Sequence, residues 1–469
     1  MKFKILILLV LSASSVNANV ADSLSYGVFG KLKIYHPATS PKQLVLFVSG
    51  DGGWNQGVVD MAMNFVAMDA AVVGIDIRSY LKNLQKTKSA CYYPAADFEN
   101  LSKFIQKKYH YKNYTNPLLL GYSSGATLIY GILAQSPANT FSGAIALGFC
   151  PDLQIDKPLC TGSGLKVRPL GRDKGFYLEA STNFEEPFYV LQGTTDQVCD
   201  YKNTASFLKQ IPKAKLISLD KVGHGFSVKK NWVPQMKMAY GEFAEGKSKQ
   251  EIMDQEDRIE SQIKELPVHI VPAAVTSEEN PLVFFISGDG GYTSFDKSFC
   301  KELAARGMPV VSLDALKYFW NEKTPASTTA DVEKLISLYK DKWQKNKVLL
   351  VGYSFGADAL PFVYNTMNKN VRENVKMLAL LSPAVEADFE IHIMDMLSLP
   401  GASKKYDVVS EIDKIKNLRT ICIYGSEEEQ EIKGKTANPN LNFLTIPGGH
   451  HYDNNFKALA EMIISQFRK

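Results

Sequence analysis

Cysteine, histidine and excess charge are scarce in this chain of 469 residues. It has six cysteines and seven histidines, and none of their spacings matches a zinc site, so we expect no metal and no cofactor. The formal net charge is only +4, which argues against a nucleic-acid partner. Beyond the first segment, no apolar run approaches the roughly 18 residues that a membrane helix needs, so the mature protein is expected to be soluble.

The first segment, MKFKILILLVLSASSVNA, is typical of a secretory signal peptide. It has two lysines, an apolar stretch at residues 5–11 and small residues leading to Ala18. We therefore predict a signal peptide over residues 1–18 and export to the periplasm. Disulfides persist in exported proteins, so the cysteines are expected to pair.

Four cysteines lie in the first half of the chain, and they allow three pairings. The sequence does not select among them. A bond between Cys150 and Cys160 is favoured because it closes a short loop containing proline, which leaves Cys91 with Cys199. Cys422, in the apolar run TICIYG, is expected to be a buried thiol.

The chain repeats itself. LVLFVSGDGGW at 44–54 returns as LVFFISGDGGY at 282–292, and GYSSG at 121–125 returns as GYSFG at 352–356. A strand that ends in glycine and a late Gly-His also recur, in the same order and at nearly constant offset. These repeats predict two copies of one domain at residues 19–240 and 267–469, joined by a charged helical linker at 241–266.

Within each copy, short apolar runs alternate with amphipathic helical segments. This pattern predicts an α/β fold class: two tandem α/β-hydrolase-like domains, each a mostly parallel sheet with helices on both faces. In the second copy we predict helices near residues 295–306 and 330–344. The segments at 151–186 and 383–416 are expected to form lids.

Each GxSxG follows an apolar strand and precedes a helical segment. This context indicates a nucleophile elbow, in which a sharp turn exposes the serine and the flanking glycines avoid collisions. Ser123 and Ser354 are therefore the candidate nucleophiles. A glycine-rich turn carrying a solvent-exposed serine is the alternative.

A serine nucleophile needs a base, and one histidine stands at the same late position in each copy. His224 and His450 are the candidate bases, and the loop after the preceding strand offers Asp196 and Glu428 as the orienting acids. Two assignments stay open in the second copy: a neighbouring glutamate at 427 or 429 could replace Glu428, and the histidine at 451 could replace His450.

The repeated SGDGG loop is expected to supply backbone N–H donors to an oxyanion. The candidate donors are Gly52, Gly53, Trp54 and Ser124 in the first copy, and Gly290, Gly291, Tyr292 and Phe355 in the second. A plain turn is the alternative, and a phosphate loop lacks its expected lysine. The two aromatic residues either wall the pocket or pack the loop.

The motifs resemble those of the AcvB/VirJ family of bacterial virulence proteins. The second copy carries SGDGGY, SLDALKYFWNEKTP, VGYSFGADALPFVYN, ADFEIH and PGGHHYD, and the first carries LFVSGDGGW, GYSSGATLIY and GFCPDLQIDKPLC. The resemblance implies an α/β-hydrolase fold, a periplasmic location and hydrolysis of the aminoacyl ester of lysyl-phosphatidylglycerol. It places the nucleophile at Ser354, with Ser123 as its counterpart. The loop SEEEQEIKGK lacks the cysteine of the family pattern, which leaves the position of the acid open.

An aminoacylated phospholipid at the periplasmic membrane face is thus the expected partner. A cationic lysyl group favours acidic residues at the mouth of the site, with candidates at Asp358, Asp388, Glu427 and Glu429. The rival hypotheses are a general carboxylesterase and a non-catalytic scaffold for an envelope secretion system. We expect the second copy to carry the activity.

Overall fold

A computed structural model describes residues 21–172, 174–244, 266–392 and 406–469. The predicted signal peptide and nearly all of the predicted linker lie outside these residues. In the described part of the chain, no helix is long and apolar enough to cross a membrane. The described residues form two units, each built around its own main sheet.

The N-terminal unit contains an eight-stranded sheet in the order β1-β2-β4-β3-β5-β6-β10-β11. The two strands at the β1 edge are antiparallel to their neighbours, and the remaining pairs are parallel. A separate three-stranded sheet is formed by β7, β8 and β9. The strands are β1 Ala21–Tyr26, β2 Gly30–Tyr35, β3 Gln43–Val48, β4 Ala70–Ile75, β5 Leu118–Tyr122, β6 Gly143–Leu147, β7 Asp152–Leu153, β8 Val167–Pro169, β9 Phe176–Leu178, β10 Phe188–Gly193 and β11 Ala214–Leu219.

Helices cover both faces of this sheet. They are α1 Gln56–Val66, α2 Ile77–Leu84, α3 Pro94–Lys108, α4 Ser124–Gln135, α5 Tyr201–Leu208 and α6 Val233–Ala244, with 3₁₀ turns at Gly27–Phe29 and Lys229–Asn231.

The C-terminal unit repeats this design with a seven-stranded sheet in the order β12-β14-β13-β15-β16-β19-β20. Only the β12–β14 pair of this sheet is antiparallel. The strands are β12 Val268–Val271, β13 Leu282–Ile286, β14 Val310–Leu313, β15 Val348–Tyr353, β16 Val375–Leu381, β17 Glu386–Ala387, β18 Tyr406–Asp407, β19 Arg419–Gly425 and β20 Leu441–Ile446. The helices are α7 Ser294–Ala305, α8 Ala315–Tyr318, α9 Pro325–Lys342, α10 Phe355–Thr366, α11 Lys369–Arg372, α12 Val408–Asp413 and α13 Phe456–Arg468, with a 3₁₀ turn at Tyr452–Asn454.

The predicted fold class is confirmed. Every residue of β3 and β13 is buried, as expected of central parallel strands that are covered on both faces and therefore read as continuous apolar runs. Parallel strands all end at the same edge of a sheet, so the loops after β3, β5, β10 and β11 meet there, as do those after β13, β15, β19 and β20. These loops contain the candidate catalytic residues.

The predicted disulfides are wrong. Cys91 is bonded to Cys160 and Cys150 to Cys199, in place of Cys150–Cys160 and Cys91–Cys199. The reason lies in long-range backbone pairing: Tyr92 N–H donates to the Pro158 carbonyl at 2.9 Å, which sets the preceding Cys91 beside the segment that contains Cys160. Cys422 is a buried free thiol, as predicted, and so is Cys300.

The two units share a contact centred on Trp320 of the C-terminal unit. Its ring lies 5.1 Å from the Tyr114 ring of the N-terminal unit, and its indole N–H donates to the Tyr111 carbonyl at 3.1 Å. Lys107, at the end of α3, pairs with Glu390 at 3.0 Å. The N-terminal unit therefore contacts the loop after β17 in the C-terminal unit.

Candidate active site

Both candidate nucleophiles occupy a strained turn between a strand and a helix. Ser123 follows β5 with φ 56° and ψ −125°, and Ser354 follows β15 with φ 51° and ψ −117°. A positive φ is costly for a residue with a Cβ atom, and such strain is concentrated at functional sites. The predicted nucleophile-elbow geometry is present in both units.

The glycines of each GxSxG are required by close backbone contacts. A Cβ atom on Gly125 would lie 2.4 Å from the Ser49 carbonyl oxygen, and one on Gly356 would lie 2.2 Å from that of Ile286. A Cβ atom on Gly121 or Gly352 would likewise lie 2.3 Å from the carbonyl oxygen of Gly125 or Gly356, respectively. Any side chain here would push the helix away from the sheet and displace the serine.

The N-terminal unit brings Ser123, His224 and Asp196 together in one hydrogen-bonded chain. His224 Nε2 lies 2.9 Å from Ser123 Oγ, and Nδ1 lies 2.9 Å from Asp196 Oδ2. The imidazole can therefore take the serine proton at one nitrogen while the carboxylate fixes its tautomer at the other.

The Asp196 carboxylate is held from both sides. Its Oδ1 accepts the backbone N–H groups of Val198 and Cys199 at 2.9 Å each. Its Oδ2 also accepts from the Gln192 side-chain amide at 3.1 Å. These bonds leave the carboxylate little rotational freedom, so the orientation of His224 is fixed by the loop after β10.

The C-terminal unit brings Glu428 and His450 together. Glu428 Oε1 lies 2.6 Å from His450 Nδ1, while Oε2 accepts from the Gly425 N–H at 2.6 Å and from the Ser382 hydroxyl at 2.7 Å. Burial would raise the pKa of Glu428, but these hydrogen bonds outweigh it and hold the pKa below its ordinary value. The carboxylate thus stays charged at neutral pH.

The alternative residues of this unit are placed differently. Glu427 and Glu429 are exposed, and His451 packs its ring edge-on against Phe295 with centroids 5.8 Å apart. Burial and the neighbouring His450 lower the pKa of His451. Among the candidates, the structure brings only the Glu428–His450 pair into the position held by Asp196 and His224.

Ser354 and His450 are not hydrogen-bonded as Ser123 and His224 are. In the described part of the chain, no hydrogen bond joins Ser354 Oγ to either neighbouring imidazole, although His450 is anchored like His224. Tyr353 donates to the His450 carbonyl at 3.2 Å, as Tyr122 donates to that of His224 at 3.0 Å. Catalytic hydrogen bonds are often long before substrate binds, and in the C-terminal unit the bond between Ser354 and His450 is not formed.

Some of the predicted oxyanion donors already donate hydrogen bonds within their own unit. Gly53 N–H donates to the Gly50 carbonyl at 2.8 Å, and Trp54 N–H donates to Asp76 at 3.1 Å. In the second unit, Gly291 N–H donates to the Gly288 carbonyl at 3.0 Å. These bonds close the turn and leave Gly52 and Ser124 as predicted oxyanion donors in the first unit, and Gly290, Tyr292 and Phe355 in the second.

The aromatic residues of the two loops pack the turn. The Trp54 indole lies where a side chain on Gly74 would be and donates to the Tyr35 hydroxyl at 3.0 Å. Tyr292 is buried and stacks on His269 with ring centroids 3.9 Å apart. Of the two roles open from the sequence, both residues take the packing role.

A cavity of about 200 Å³ opens at Ser354. Five of its lining residues are carboxylates, and Phe355 supplies one apolar wall; the carboxylates are Asp289, Asp358, Glu386, Asp388 and Glu390. Asp358 accepts the Ala384 N–H at 2.7 Å, and Asp388 bonds to His392 at 3.0 Å. The site is therefore strongly acidic, and it includes two of the acidic residues that the sequence singled out.

The predicted lid segments differ between the units. Residues 151–186 hold the small sheet of β7, β8 and β9, and three leucines of this segment, Leu159, Leu165 and Leu178, cover α4 at Gly131. Residues 383–416 contribute β17 and β18, and part of this segment lies outside the described residues. In the residues that are described, no group of three or more His, Cys, Asp or Glu side chains is arranged to hold a metal ion.

Two positioning residues were missed from the sequence. Gln192 is fully buried in β10, accepts from Phe149 N–H at 3.0 Å and donates to Asp196. A polar residue within the apolar run FYVLQG was the available signal. Ser382, which donates to Glu428 and lies 2.7 Å from the Tyr452 hydroxyl, left no such signal in MLALLSP.

The fold and the two elbows together define a pair of α/β-hydrolase-fold units, each with a GxSxG serine between strand and helix. The particular family follows from a family model, that of the bacterial virulence protein VirJ, which matches residues 42–147 and 280–469. The chain belongs to the VirJ family. No curated protein matches its sequence.

Solved structures similar to this chain each span about half of it. An esterase domain from Rhodothermus marinus has 17% identity and a TM-score of 0.32, covering 47% of this chain and 98% of its own. An α/β serine hydrolase without lid from Xanthomonas campestris has 16% identity and a TM-score of 0.31, covering 49% and 94%. An alpha-beta serine hydrolase homologue from Coxiella burnetii has 15% identity and a TM-score of 0.32, covering 48% and 97%.

Proposed function

We propose that this protein is a periplasmic serine hydrolase that cleaves the aminoacyl ester of lysyl-phosphatidylglycerol through Ser354. The observation that carries the proposal is the carboxylate-lined cavity at this serine. A lysyl group carries a positive charge on its side chain and a second on its α-amino group, and opposite charges attract more strongly in a half-buried site than in water. An acidic cavity therefore favours this acyl group over uncharged ones.

The reaction follows from the residues that surround the serine. Ser354 Oγ attacks the ester carbonyl carbon, and its proton passes to His450 Nε2 while Glu428 stabilises the imidazolium. The N–H groups of Gly290 and Phe355 receive the oxyanion. The tetrahedral intermediate expels the glycerol oxygen, which takes the proton from His450, and water then releases lysine from the acyl-enzyme.

The cellular location is supported by the cysteines. Two disulfides in the N-terminal unit indicate an oxidising, exported compartment. We place the protein in the periplasm, where the outer leaflet of the inner membrane would present the substrate. An envelope or secretion-system partner is compatible with this location.

The test is the release of lysine from lysyl-phosphatidylglycerol in mixed micelles by the mature protein. We expect Ser354→Ala to abolish release and Ser123→Ala to lower it less. Equal loss in both variants would defeat the assignment to the C-terminal unit. Intact lipid turnover and an unchanged cellular phenotype with Ser354→Ala would favour the scaffold, and faster turnover of simple acyl esters would favour a general carboxylesterase.

A further inference from the structure

We propose that Ser123, His224 and Asp196 form a second, independent active site, which hydrolyses esters whose acyl group carries no positive charge. This proposal does not rest on the substrate assigned to Ser354. It assigns an activity to the N-terminal unit in place of a bracing role.

The N-terminal site is complete within its own unit. The two hydrogen bonds of the triad are both 2.9 Å, and all three side chains belong to the N-terminal unit. The predicted oxyanion donors, Gly52 and Ser124, belong to it as well. No group from the C-terminal unit is needed for the chemistry.

The arrangement of Ser123 and Asp196 costs folding stability. Ser123 holds a left-handed φ of 56° that a residue with a Cβ atom rarely adopts. The Asp196 side chain is fully buried, and a buried carboxylate needs hydrogen bonds to offset its desolvation. Gln192 adds a further buried polar group whose bonds serve this carboxylate. A unit that only braced its partner would be more stable with an apolar core at these positions.

The two units differ in charge at matching positions near the serine. Four residues after the nucleophile, the C-terminal unit has Asp358 and the N-terminal unit has Thr127. These side chains bond to equivalent backbone positions: Asp358 accepts the N–H of Ala384, and Thr127 donates to the carbonyl of Cys150. A hydroxyl therefore stands where the acidic site has a carboxylate.

A second matching position differs in the same way. Asp388 directly follows β17 in the C-terminal unit, and Gln154 directly follows β7 at the matching place in the N-terminal unit. The N-terminal unit therefore lacks two of the five carboxylates that line the C-terminal cavity and is less acidic there; at the positions that match the other three it has Asp51, Asp152 and Asp156.

The chemistry needs only water as co-reactant. Ser123 Oγ bonds to the ester carbonyl carbon as its proton moves to His224 Nε2. The tetrahedral oxyanion collapses and breaks the bond to the alcohol oxygen, which leaves with the proton from His224. Water then gives one proton to His224 and its hydroxide to the acyl carbon, and the acid departs as the proton returns to Ser123.

The test measures hydrolysis of p-nitrophenyl butyrate and of lysine p-nitrophenyl ester by the full mature chain. In the Ser354→Ala background, adding Ser123→Ala should lower kcat/KM for the butyrate ester by about a hundredfold or more. Ser89→Ala, on an exposed loop of the same unit, is the matched control and should leave both activities unchanged. A fluorophosphonate probe followed by peptide mass spectrometry should modify Ser123 in the Ser354→Ala variant.

A gain-of-charge variant tests the substrate class. Gln154→Asp, at the exposed position that matches Asp388, should shift the ratio of lysine-ester to butyrate-ester turnover toward the cationic ester by about tenfold. The proposal is overturned if the Ser354→Ala background has no butyrate esterase activity and no probe adduct on Ser123. It is equally overturned if this activity survives Ser123→Ala. Release of lysine from lysyl-phosphatidylglycerol by Ser123→Ala is scored separately, so failure here leaves the assignment of Ser354 intact.

Discussion

Replacing Glu428 by glutamine should inactivate the C-terminal site through the tautomer of His450. One carboxylate oxygen accepts from the Gly425 N–H and the Ser382 hydroxyl, so the amide oxygen of the new side chain must take that side. The amide nitrogen then faces His450 Nδ1, which lies 2.6 Å from the other oxygen. A donor at that position requires Nδ1 to accept. The imidazole proton therefore moves to Nε2, which can no longer take the proton of Ser354.

The expected loss is large because the wrong tautomer blocks general-base catalysis outright. Asp-to-Asn exchange in a serine protease triad costs about four orders of magnitude in kcat, which corresponds to about 5 kcal/mol of transition-state stabilisation. We expect a similar fall in the rate of lysine release by Glu428→Gln. Glu429→Gln, one residue along the same loop and exposed, is the matched control and should change the rate less than about twofold.

The pH dependence of unfolding gives an independent readout of the same carboxylate. Its folded-state pKa lies below the ordinary value of 4.5, so its contribution to stability is complete above that pH and disappears as the pH falls through the folded pKa. Glu428→Gln should lack this part of the acid destabilisation in denaturant titrations between pH 3 and pH 6. Activity within tenfold of the wild type in Glu428→Gln, with Ser354→Ala inactive, would refute the reasoning.

Three further outcomes are expected. Burial raises the pKa of Asp296 to about 7, so between about pH 4 and pH 7 the folded state keeps a proton that the unfolded state releases. The free energy of unfolding therefore falls as the pH rises through this range. Asp296→Asn should flatten this fall in urea titrations, and an unchanged dependence of the unfolding free energy on pH would contradict the prediction. Lys107→Met should remove the partner of Glu390, which lines the cavity at Ser354. The KM for the lysine ester should then fall several-fold, with little effect on the butyrate ester. An equal effect on both esters would contradict a role of Glu390 in binding the cationic substrate. Replacing Cys91 and Cys160 together by alanine removes a bond with a sequence separation of 69 and should cost about 4 kcal/mol of unfolding free energy in the N-terminal unit; a loss below about 1 kcal/mol would indicate a structured unfolded state.

The fold was predictable because its signals are local and repeated. Each central strand is a continuous apolar run. Because the motifs are duplicated, each strand–turn–helix junction occurs twice in the sequence and could be identified from either copy. Helix bounds were less accurate: the helix predicted from residue 330 begins at Pro325, because Thr324 caps it and proline at the first position suits the helix start. The chain order of serine, acid and histidine was enough to name the residues that the structure brings together.

The disulfides and the positioning residues were not predictable in the same way. Cys150 meets Cys199 because Gln192 ties the start of one loop to the end of another, accepting from Phe149 N–H and donating to the Cys199 carbonyl at 2.7 Å. Neither contact has a spacing rule. The pair of Lys107 with Glu390 joins residues from different units and equally leaves no mark in either local sequence.

The duplication separates what the chemistry requires from what the substrate requires. Both units have the elbow backbone and a carboxylate beside the imidazole. Both also have a tyrosine, Tyr122 or Tyr353, that donates to the carbonyl of the histidine. The groups that border the serine diverge, from Thr127 to Asp358. Since charge at a cavity wall affects which acyl group enters but not how the serine is activated, the two units are expected to share one mechanism and to differ in substrate. A duplicated unit that had lost its function would have no reason to keep the serine, the imidazole and the carboxylate in one hydrogen-bonded chain.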